Sequence, residues 1–151
     1  MVNGGTGSIS EEFRYHVRSF ARRDSASSPY RPAMLSHTSL EAWKVARRVS
    51  CGCFLLARDH WKPWAAALFG QLQHAALSVQ LNIAEGWSFN RSPTYTRHLG
   101  MAYGSSVETG ELLGIALTVK AVPAEALAEL IGDNHRSQRL LVGLLKRVRP
   151  M

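Results

Sequence analysis

The chain has little cysteine, and its two cysteines are poorly placed to bridge. Cys51 and Cys53 are separated by one residue, which on a helix puts their side chains about 200° apart around the axis. A disulfide requires side chains that point toward each other. The scarcity of cysteine therefore favours a reducing, cytosolic setting over a disulfide-stabilised secreted fold.

Long apolar runs and a secretory signal are also missing. No stretch of the sequence approaches the roughly 20 apolar residues that cross a bilayer. Residues 1–10 contain no basic start followed by an apolar block, which a secretory signal would need. The sequence therefore predicts a soluble, cytoplasmic protein that has no membrane as partner.

Catalytic and cofactor motifs are absent from the sequence as well. It has no glycine-rich phosphate loop, serine elbow, paired-cysteine zinc motif or strand-borne aromatic platform for bases. The glutamate-x-x-histidine pairs of di-iron bundles do not occur in the second and third predicted helices. His74 and Glu85 lie three helical turns apart and cannot form an acid–base pair. We therefore predict no catalytic residue, no metal, no cofactor and no enzymatic activity.

The composition is that of a globular domain with an excess of positive charge. At 151 residues with 46% apolar content, the chain is long enough for one domain that buries about 70% of its unfolded surface. The formal net charge is +7 and the isoelectric point is near 10.0. This charge is compatible with nucleic acid, an acidic protein or an anionic membrane surface, and selects none of them.

Residues 1–33 are predicted to be an N-terminal extension, and residues 34–151 the compact body. In the extension, Ser8 and Glu11 have the spacing of a capping box before a short helix with an arginine-rich side. Serines and prolines then crowd residues 24–32, which is typical of a linker. The alternative is that the whole extension lacks order, or that translation begins at Met34.

Four amphipathic helices are predicted in the body, which makes the fold class all-α. The first helix begins at Thr38, which has capping-box spacing to Glu41, and ends before Lys62. The second runs from Pro63 or Trp64 to Glu85, the third from Pro93 to about Lys120, and the fourth follows Pro123. The predicted apolar edges comprise Trp43, Ala46, Ser50, Cys53, Phe54, Ala57 and Trp61; Leu72, Ala75, Ala76, Val79, Ile83 and Ala84; Tyr95, Leu99, Ala102, Ser106, Leu113 and Leu117; and Leu127, Leu130, Ile131, Gln138, Leu141, Leu145 and Val148.

The second and third helices are predicted to form a helical hairpin around residues 82–93. Gly86 stands where a C-capping glycine would end the second helix. Ser92 supplies an N-cap hydroxyl, and Pro93 occupies the first helical position, where a missing N–H costs nothing. This hairpin is the part of the chain around which the rest is expected to pack.

The second helix carries a line of polar residues. The polar residues Gln71, His74, Ser78, Asn82 and Glu85 follow one another at steps of three or four residues and so share one side of the second helix. We interpret this side as a hydrogen-bonded seam that fixes helix register, or as a subunit contact.

The third helix carries four glycines at close spacing. Gly100, Gly104, Gly110 and Gly114 would each cost the helix about 1 kcal/mol relative to alanine. Such a cost is offset where another helix backbone comes close, so these glycines predict a tight helix contact.

Basic side chains lie away from the apolar edges of the first and fourth helices. They are either solvated faces or a surface that contacts phosphate groups. Cations in the last turn of the fourth helix also have a local reason, because they oppose the negative end of the helix dipole. The candidate nucleic-acid surface consists of Lys44, Arg48, Arg58, Arg136, Arg139, Lys146 and Arg147.

Two motifs in the hairpin carry a resemblance to a known family. The first motif is residues 81–86, from Leu81 through Asn82 and Glu85 to Gly86, and the second is residues 95–108, from Tyr95 to Glu108. Together with residues 40–46 and the Gln71-Leu72 pair, they resemble the four-helix bundle proteins encoded in 23S ribosomal RNA intervening sequences. The resemblance covers residues 39–149.

The resemblance implies a left-handed, antiparallel up-and-down bundle that assembles as a homopentamer and has no assigned enzymatic activity. The accessory variability protein of retroelements is distantly similar, and it forms a basic pentamer that binds a reverse transcriptase and nucleic acid. The expected partners are thus copies of the same chain, with RNA or DNA, or another protein, as further candidates. The alternative is a structural or protein-binding adaptor without any nucleic-acid role.

Seven residues of the matching motifs are expected to have a structural or interface role. They are Gln71, Asn82, Glu85, Gly86, Gly104, Ser105 and Glu108. The sequence departs from the family pattern at Gln73 and His74, where the family usually has basic residues, and at Gln80, where it usually has proline.

Overall fold

The fold consists of four α-helices and, in residues 36–89 and 92–148 that the structure describes, contains no strand. In this computed structural model α1 is Glu41–His60, α2 is Ala66–Trp87, α3 is Pro93–Thr118 and α4 is Ala124–Val148. Short 3-10 helices, His37–Ser39 and Pro63–Ala65, precede α1 and α2. The predicted all-α class is confirmed. The N-terminal extension and its capping box lie outside the described residues, and the division at residue 34 stays a prediction.

The start of α1 differs from the predicted start at Thr38. Thr38 lies within the 3-10 helix, where its backbone N–H donates to the Ser36 hydroxyl at 3.3 Å. Leu40 occupies the N-cap position of α1 and makes no side-chain capping bond. The predicted capping box does not form, since Glu41 is the first residue of α1 rather than the third. The Glu41 carboxylate accepts a hydrogen bond from Arg136 of α4 at 2.8 Å.

The turn between α2 and α3 confirms one predicted cap and corrects the other. The Ser92 hydroxyl accepts from the Tyr95 N–H at 3.4 Å, and Pro93 opens α3 as predicted. Gly86, however, lies inside α2 and has no left-handed backbone. The hydroxyl of Ser88 donates to the Glu85 carbonyl at 2.7 Å, so one of the free carbonyls at the end of α2 is satisfied without a capping glycine.

A lysine with a left-handed backbone follows the end of helix α3. Lys120 has a φ of 54°, in the left-handed region that non-glycine residues seldom adopt. This conformation lets the N–H of Ala121 donate to the carbonyl of Ala116 at 3.0 Å, which satisfies one of the last carbonyls of α3. Pro123 follows and α4 begins at the next residue, as predicted.

Each helix packs on two others: α2 on α1 and α3, and α4 on α1 and α3. This ring of neighbours is consistent with the predicted up-and-down order. The core divides into two clusters along the bundle. The first core cluster includes Cys53, Phe69, Leu72, Leu113 and Leu127. The second core cluster includes Trp43, Ile83, Leu99, Ala102 and Leu141.

A buried polar layer separates the two clusters. It consists of Ser50, Ser106, Thr109, Asn134 and Ser137, each at most 3% exposed. The side-chain amides of Asn134 and Gln138 on α4 both donate to the Ser106 carbonyl of α3, each at 3.0 Å. Gly110 leaves room for them, since a Cβ there would lie 3.1 Å from the Asn134 amide nitrogen.

The predicted apolar edges are buried or half-buried except at three positions. Phe54, Trp61 and Leu117 are 45%, 56% and 41% exposed. Phe54 lies one residue past buried Cys53, which turns it about 100° away from the core, and Trp61 follows the last residue of α1. In the described part of the chain, no helix combines the length and apolarity that a bilayer crossing requires.

Candidate functional site

The predicted polar line of α2 forms hydrogen bonds with α3 along much of its length. Gln71 Nε2 donates to Glu108 Oε1 at 2.6 Å. The hydroxyls of Ser78 and Ser105 are 3.0 Å apart. His74, between these two contacts in sequence, is exposed. We call this set of contacts the polar seam; it brings together Gln71, Ser78, Ser105 and Glu108.

Near the turn, the polar seam is completed by Asn82 and His98. Asn82 is 8% exposed, and its Nδ2 donates to the carbonyl and hydroxyl of Ser78 at 2.9 and 3.1 Å. His98 Nδ1 lies 3.2 Å from Asn82 Oδ1, so the tautomer that carries its proton at Nδ1 donates to that oxygen. The Glu85 carboxylate is 3.8 Å from the same nitrogen. The ring of Phe89 stacks on His98 with centroids 5.4 Å apart.

The glycines of the hairpin fall into two groups. At Gly86 a Cβ would lie 2.8 Å from His98 Cβ and 3.3 Å from the Tyr95 ring, so α2 and α3 approach closely there. At Gly100, Gly104 and Gly114 a Cβ would meet no described atom within 4 Å. Within one chain, the predicted tight contact at the α3 glycines is therefore found only at Gly110.

The glycines without neighbours belong to an exposed side of α3 that also carries three large apolar residues and one carboxylate. We define this α3 face as Gly100, Met101, Gly104, Val107, Glu111, Gly114 and Ile115. Its large apolar members are 40–47% exposed. Soluble monomers seldom expose several large apolar side chains next to one another. An exposed group of this kind is therefore typical of an interaction site.

Three of the seven predicted nucleic-acid-binding residues are engaged by carboxylates. Arg48 of α1 donates twice to Asp133 of α4, at 3.0 and 3.1 Å. This hydrogen bonding, supported by the charge of Asp133, raises the pKa of Arg48 above its usual value. Arg136 pairs with Glu41 at 2.8 Å. Two interhelical ion pairs thus tie α1 to α4.

The third engaged residue, Arg58, pairs with its sequence neighbour. Arg58 Nε lies 2.7 Å from Asp59, and this hydrogen bond holds the pKa of Asp59 below its usual value. Arg58 lies near the C-terminal end of α1, whereas Lys44 lies near its N-terminal end. The predicted basic surface is therefore divided between two ends of the bundle.

The remaining four predicted residues are exposed. Lys44, Arg139, Lys146 and Arg147 make no ion pair with any acidic residue that the structure describes. Arg139, Lys146 and Arg147 all lie in the second half of α4.

The two cysteines have opposite environments. Cys51 is exposed and Cys53 is fully buried, and both are free thiols. Burial raises the pKa of Cys53 from 9.0 to about 12. Among the described residues, no three His, Cys, Asp or Glu side chains are grouped so that they could hold a metal ion.

Sequence reasoning missed three of the residues that organise these contacts: His98, Asn134 and Asp133. His98 closes the polar seam, Asn134 joins the polar layer and Asp133 captures Arg48. A signal existed for Asn134, because it falls on the same edge of α4 as Leu127, Leu130 and Leu141. An amide on an apolar edge indicates a buried hydrogen bond.

Comparison with known proteins gives one family. The family model described as 23S rRNA-intervening sequence protein matches residues 38–143 of the chain, a stretch that contains α1, α2, α3 and most of α4. A search of curated proteins found no match.

Proposed function

The chain belongs to the 23S rRNA-intervening sequence protein family, and from this we propose that it is a non-enzymatic homo-oligomeric scaffold that binds nucleic acid. In this proposal the bundle is antiparallel, the oligomer is the pentamer implied by the family resemblance, and the protein works in the cytoplasm. Basic side chains on α1 and α4 contact phosphate groups. The following observations support each part.

The antiparallel order is supported by the contacts between neighbouring helices. Along the α2–α3 pair, Gln71 meets Glu108, Ser78 meets Ser105 and Asn82 meets His98. The partner's number falls as the residue number rises. Along the α1–α4 pair, Glu41 meets Arg136 and Arg48 meets Asp133 in the same falling sense.

The oligomer is supported by the α3 face. A single chain leaves Met101, Val107 and Ile115 40–47% exposed, beside glycines that no other described helix approaches. Burying apolar side chains between copies would release about 25 cal/mol per Å² of apolar area removed from water. Small residues would let a helix of a second copy approach closely, which offsets the cost of glycine within α3.

Nucleic-acid binding is supported chiefly by the unpaired cations of α4. Arg139, Lys146 and Arg147 are exposed and, among the described residues, have no acidic partner. Cations of this kind exchange their counterions for phosphate groups, which gives affinity without sequence specificity. The whole chain is also positively charged, since it has 18 Lys and Arg residues and 11 Asp and Glu residues.

A gel-shift series with ribosomal RNA fragments tests this part of the proposal. We expect retardation at 50 mM salt that weakens steeply as salt rises, because phosphate contacts release counterions. A parallel static light-scattering measurement gives the mass of the assembly. Absence of any retardation at 50 mM salt would reject nucleic-acid binding, and a monomeric mass would reject the oligomer.

An adaptor without a nucleic-acid role is the second candidate. This candidate is supported by the contacts of Arg48, Arg58 and Arg136, whose side chains already pair with carboxylates of the same chain. An adaptor would keep its oligomeric mass and show no retardation in the same experiment. The two candidates therefore give different results in one measurement.

A further inference from the structure

Charged residues are distributed unevenly along the bundle. The polar layer divides it into a first half, around the first core cluster, and a second half, around the second core cluster. In each of the two interhelical ion pairs, Arg48 with Asp133 and Arg136 with Glu41, the two charges cancel. The remaining charges of the described residues then differ sharply between the halves.

The second half is strongly basic and the first half is acidic. Outside the two ion pairs, the described residues of the second half hold six cations and one carboxylate: Lys44, Arg47, Arg97, Arg139, Lys146 and Arg147 against Glu85. Those of the first half hold three cations and five carboxylates: Arg58, Lys62 and Lys120 against Asp59, Glu108, Glu111, Glu125 and Glu129. A polyanion is therefore attracted to one half and repelled by the other.

The most exposed aromatic residues lie in the acidic half. Phe54, Trp61 and Trp64 are 45–62% exposed and lie at or beside the connection between α1 and α2. In the basic half, Phe89 and Tyr103 are 42% and 37% exposed, and Phe89 is stacked on His98. Proteins that bind unpaired bases combine cations with exposed aromatic rings on one surface, and here the two exposed tryptophans lie away from the basic half.

We propose that the second half of the bundle is a binding surface for the phosphate backbone of a nucleic-acid duplex, and that the first half does not contact nucleic acid. The inference rests on the proposed function and gives it a place and a substrate class. The contacts come from cations near the beginning of α1 and α3 and near the end of α4. Binding is independent of base sequence, because phosphate contacts position a protein without reading bases.

Fluorescence anisotropy with a labelled 20-base-pair RNA duplex tests the location. The Lys146→Glu, Arg147→Glu double variant lowers the charge of the basic half by four units. The Lys62→Glu, Lys120→Glu double variant is its matched control, since it lowers the charge of the acidic half by the same four units. We expect the first variant to raise Kd at least tenfold and to reduce the slope of log K against log salt, which is about 0.9 per phosphate contact for B-form DNA. The control should stay within about threefold of the wild type.

A third variant tests whether the effect of the first variant arises only from unwinding of the last turn of α4. Lys44→Glu with Arg139→Glu changes the same half at positions inside helices, and it should weaken duplex binding as the first variant does. Circular dichroism verifies that all variants keep their helical content. A single-stranded RNA of the same length and mixed sequence completes the set, and it should bind no more tightly than the duplex.

The possible failures are distinguishable. If the wild type binds neither RNA, the proposed function itself fails. If it binds but the acidic-half control weakens binding as much as the basic-half variants do, the location is wrong and the proposed function stands. A preference of more than tenfold for the single strand, lost when Trp61 and Trp64 are replaced by leucine, would reject the backbone surface in favour of base stacking on the first half.

Discussion

At Gly86 the backbone of α2 passes so close to α3 that no side chain fits. A Cβ would lie 2.8 Å from His98 Cβ, closer than packed carbon atoms allow. We predict that Gly86→Ala lowers the free energy of unfolding by about 1–3 kcal/mol relative to Gly70→Ala, because overpacking forces the helices apart. Urea unfolding measures the difference. Gly70→Ala is the matched control, since it lies on the same helix and a Cβ there meets no described atom within 4 Å; equal stability of the two variants would refute the close contact.

The two thiols should differ in reactivity. The thiolate is the reacting form, and burial raises the pKa of Cys53 to about 12. We predict that a disulfide reagent at pH 8 modifies one thiol per folded chain rapidly, and that Cys51→Ser removes this reaction. Both thiols should react in urea. Rapid modification of Cys53 in the folded Cys51→Ser variant would contradict its burial.

Burial of Cys53 also links stability to alkaline pH. The folded-state pKa of about 12 exceeds the ordinary value of 9.0, so the unfolded chain loses the thiol proton first as pH rises. The stability that the neutral thiol contributes is therefore present below pH 9 and lost progressively above it. We predict that stability falls less between pH 9 and 11 in Cys53→Val than in the wild type, as thermal unfolding would show. Parallel curves for the two proteins would argue against the shifted thiol.

Single residues were predictable where one local reason decides their role. Ser92 and Pro93 were assigned correctly because an N-cap hydroxyl and an N1 proline depend only on their own turn. Gly86 was not, since helix ends and close helix contacts both select glycine. The position of His98 on another helix decides between them, and the sequence of α2 does not contain that information.

Among the secondary-structure elements, α2 and α3 are joined by the polar seam. Asn82 is 8% exposed and joins Ser78 to His98. We predict that Asn82→Ala lowers the free energy of unfolding by about 1–3 kcal/mol, because it leaves half-buried polar groups without partners. Gln71→Ala is the control at the exposed end of the polar seam and should cost less than about 1 kcal/mol. Chemical unfolding of both variants measures the contrast, and a larger loss for Gln71→Ala would reverse this assignment.

Helix existence was predictable from periodicity, whereas helix ends depended on partners elsewhere in the chain. Thr38 and Glu41 have capping-box spacing, yet α1 begins at Glu41, whose carboxylate binds Arg136 of α4. Phe54 and Trp61 fit the apolar period of α1, and the structure nevertheless exposes both. The pairing of Arg48 with Asp133 could not be predicted from local sequence patterns either, because 85 residues separate the two.

For the whole molecule, the exposed α3 face should determine assembly. We predict that Met101→Glu with Val107→Glu converts the proposed oligomer to monomers while helical content is retained, because carboxylates would be buried between copies. Phe54→Glu is the control, as it places a carboxylate on an equally exposed apolar residue of α1. Light scattering of all three proteins gives the masses. Dissociation by Phe54→Glu alone would place the contact on α1 instead.

The net charge could be counted from the sequence, but its separation between the two halves could not. It depends on which end of each helix faces which end of its neighbours, and on which cations are neutralised by distant carboxylates. Arg58 was grouped with Lys146 in the sequence, and the fold places them in opposite halves.

The two α4 amides that donate to the Ser106 carbonyl should fix the register in which separate fragments of the bundle reassemble. If α4 slid by one helical turn, about 5.4 Å, one amide would take the place of the other, and the second would lose that oxygen. Fragments divided between α2 and α3 and expressed separately would consequently have a single favoured alignment for complementation. A residue inserted in α4 ahead of Asn134 should abolish such reassembly, whereas extra residues in the turn should be tolerated.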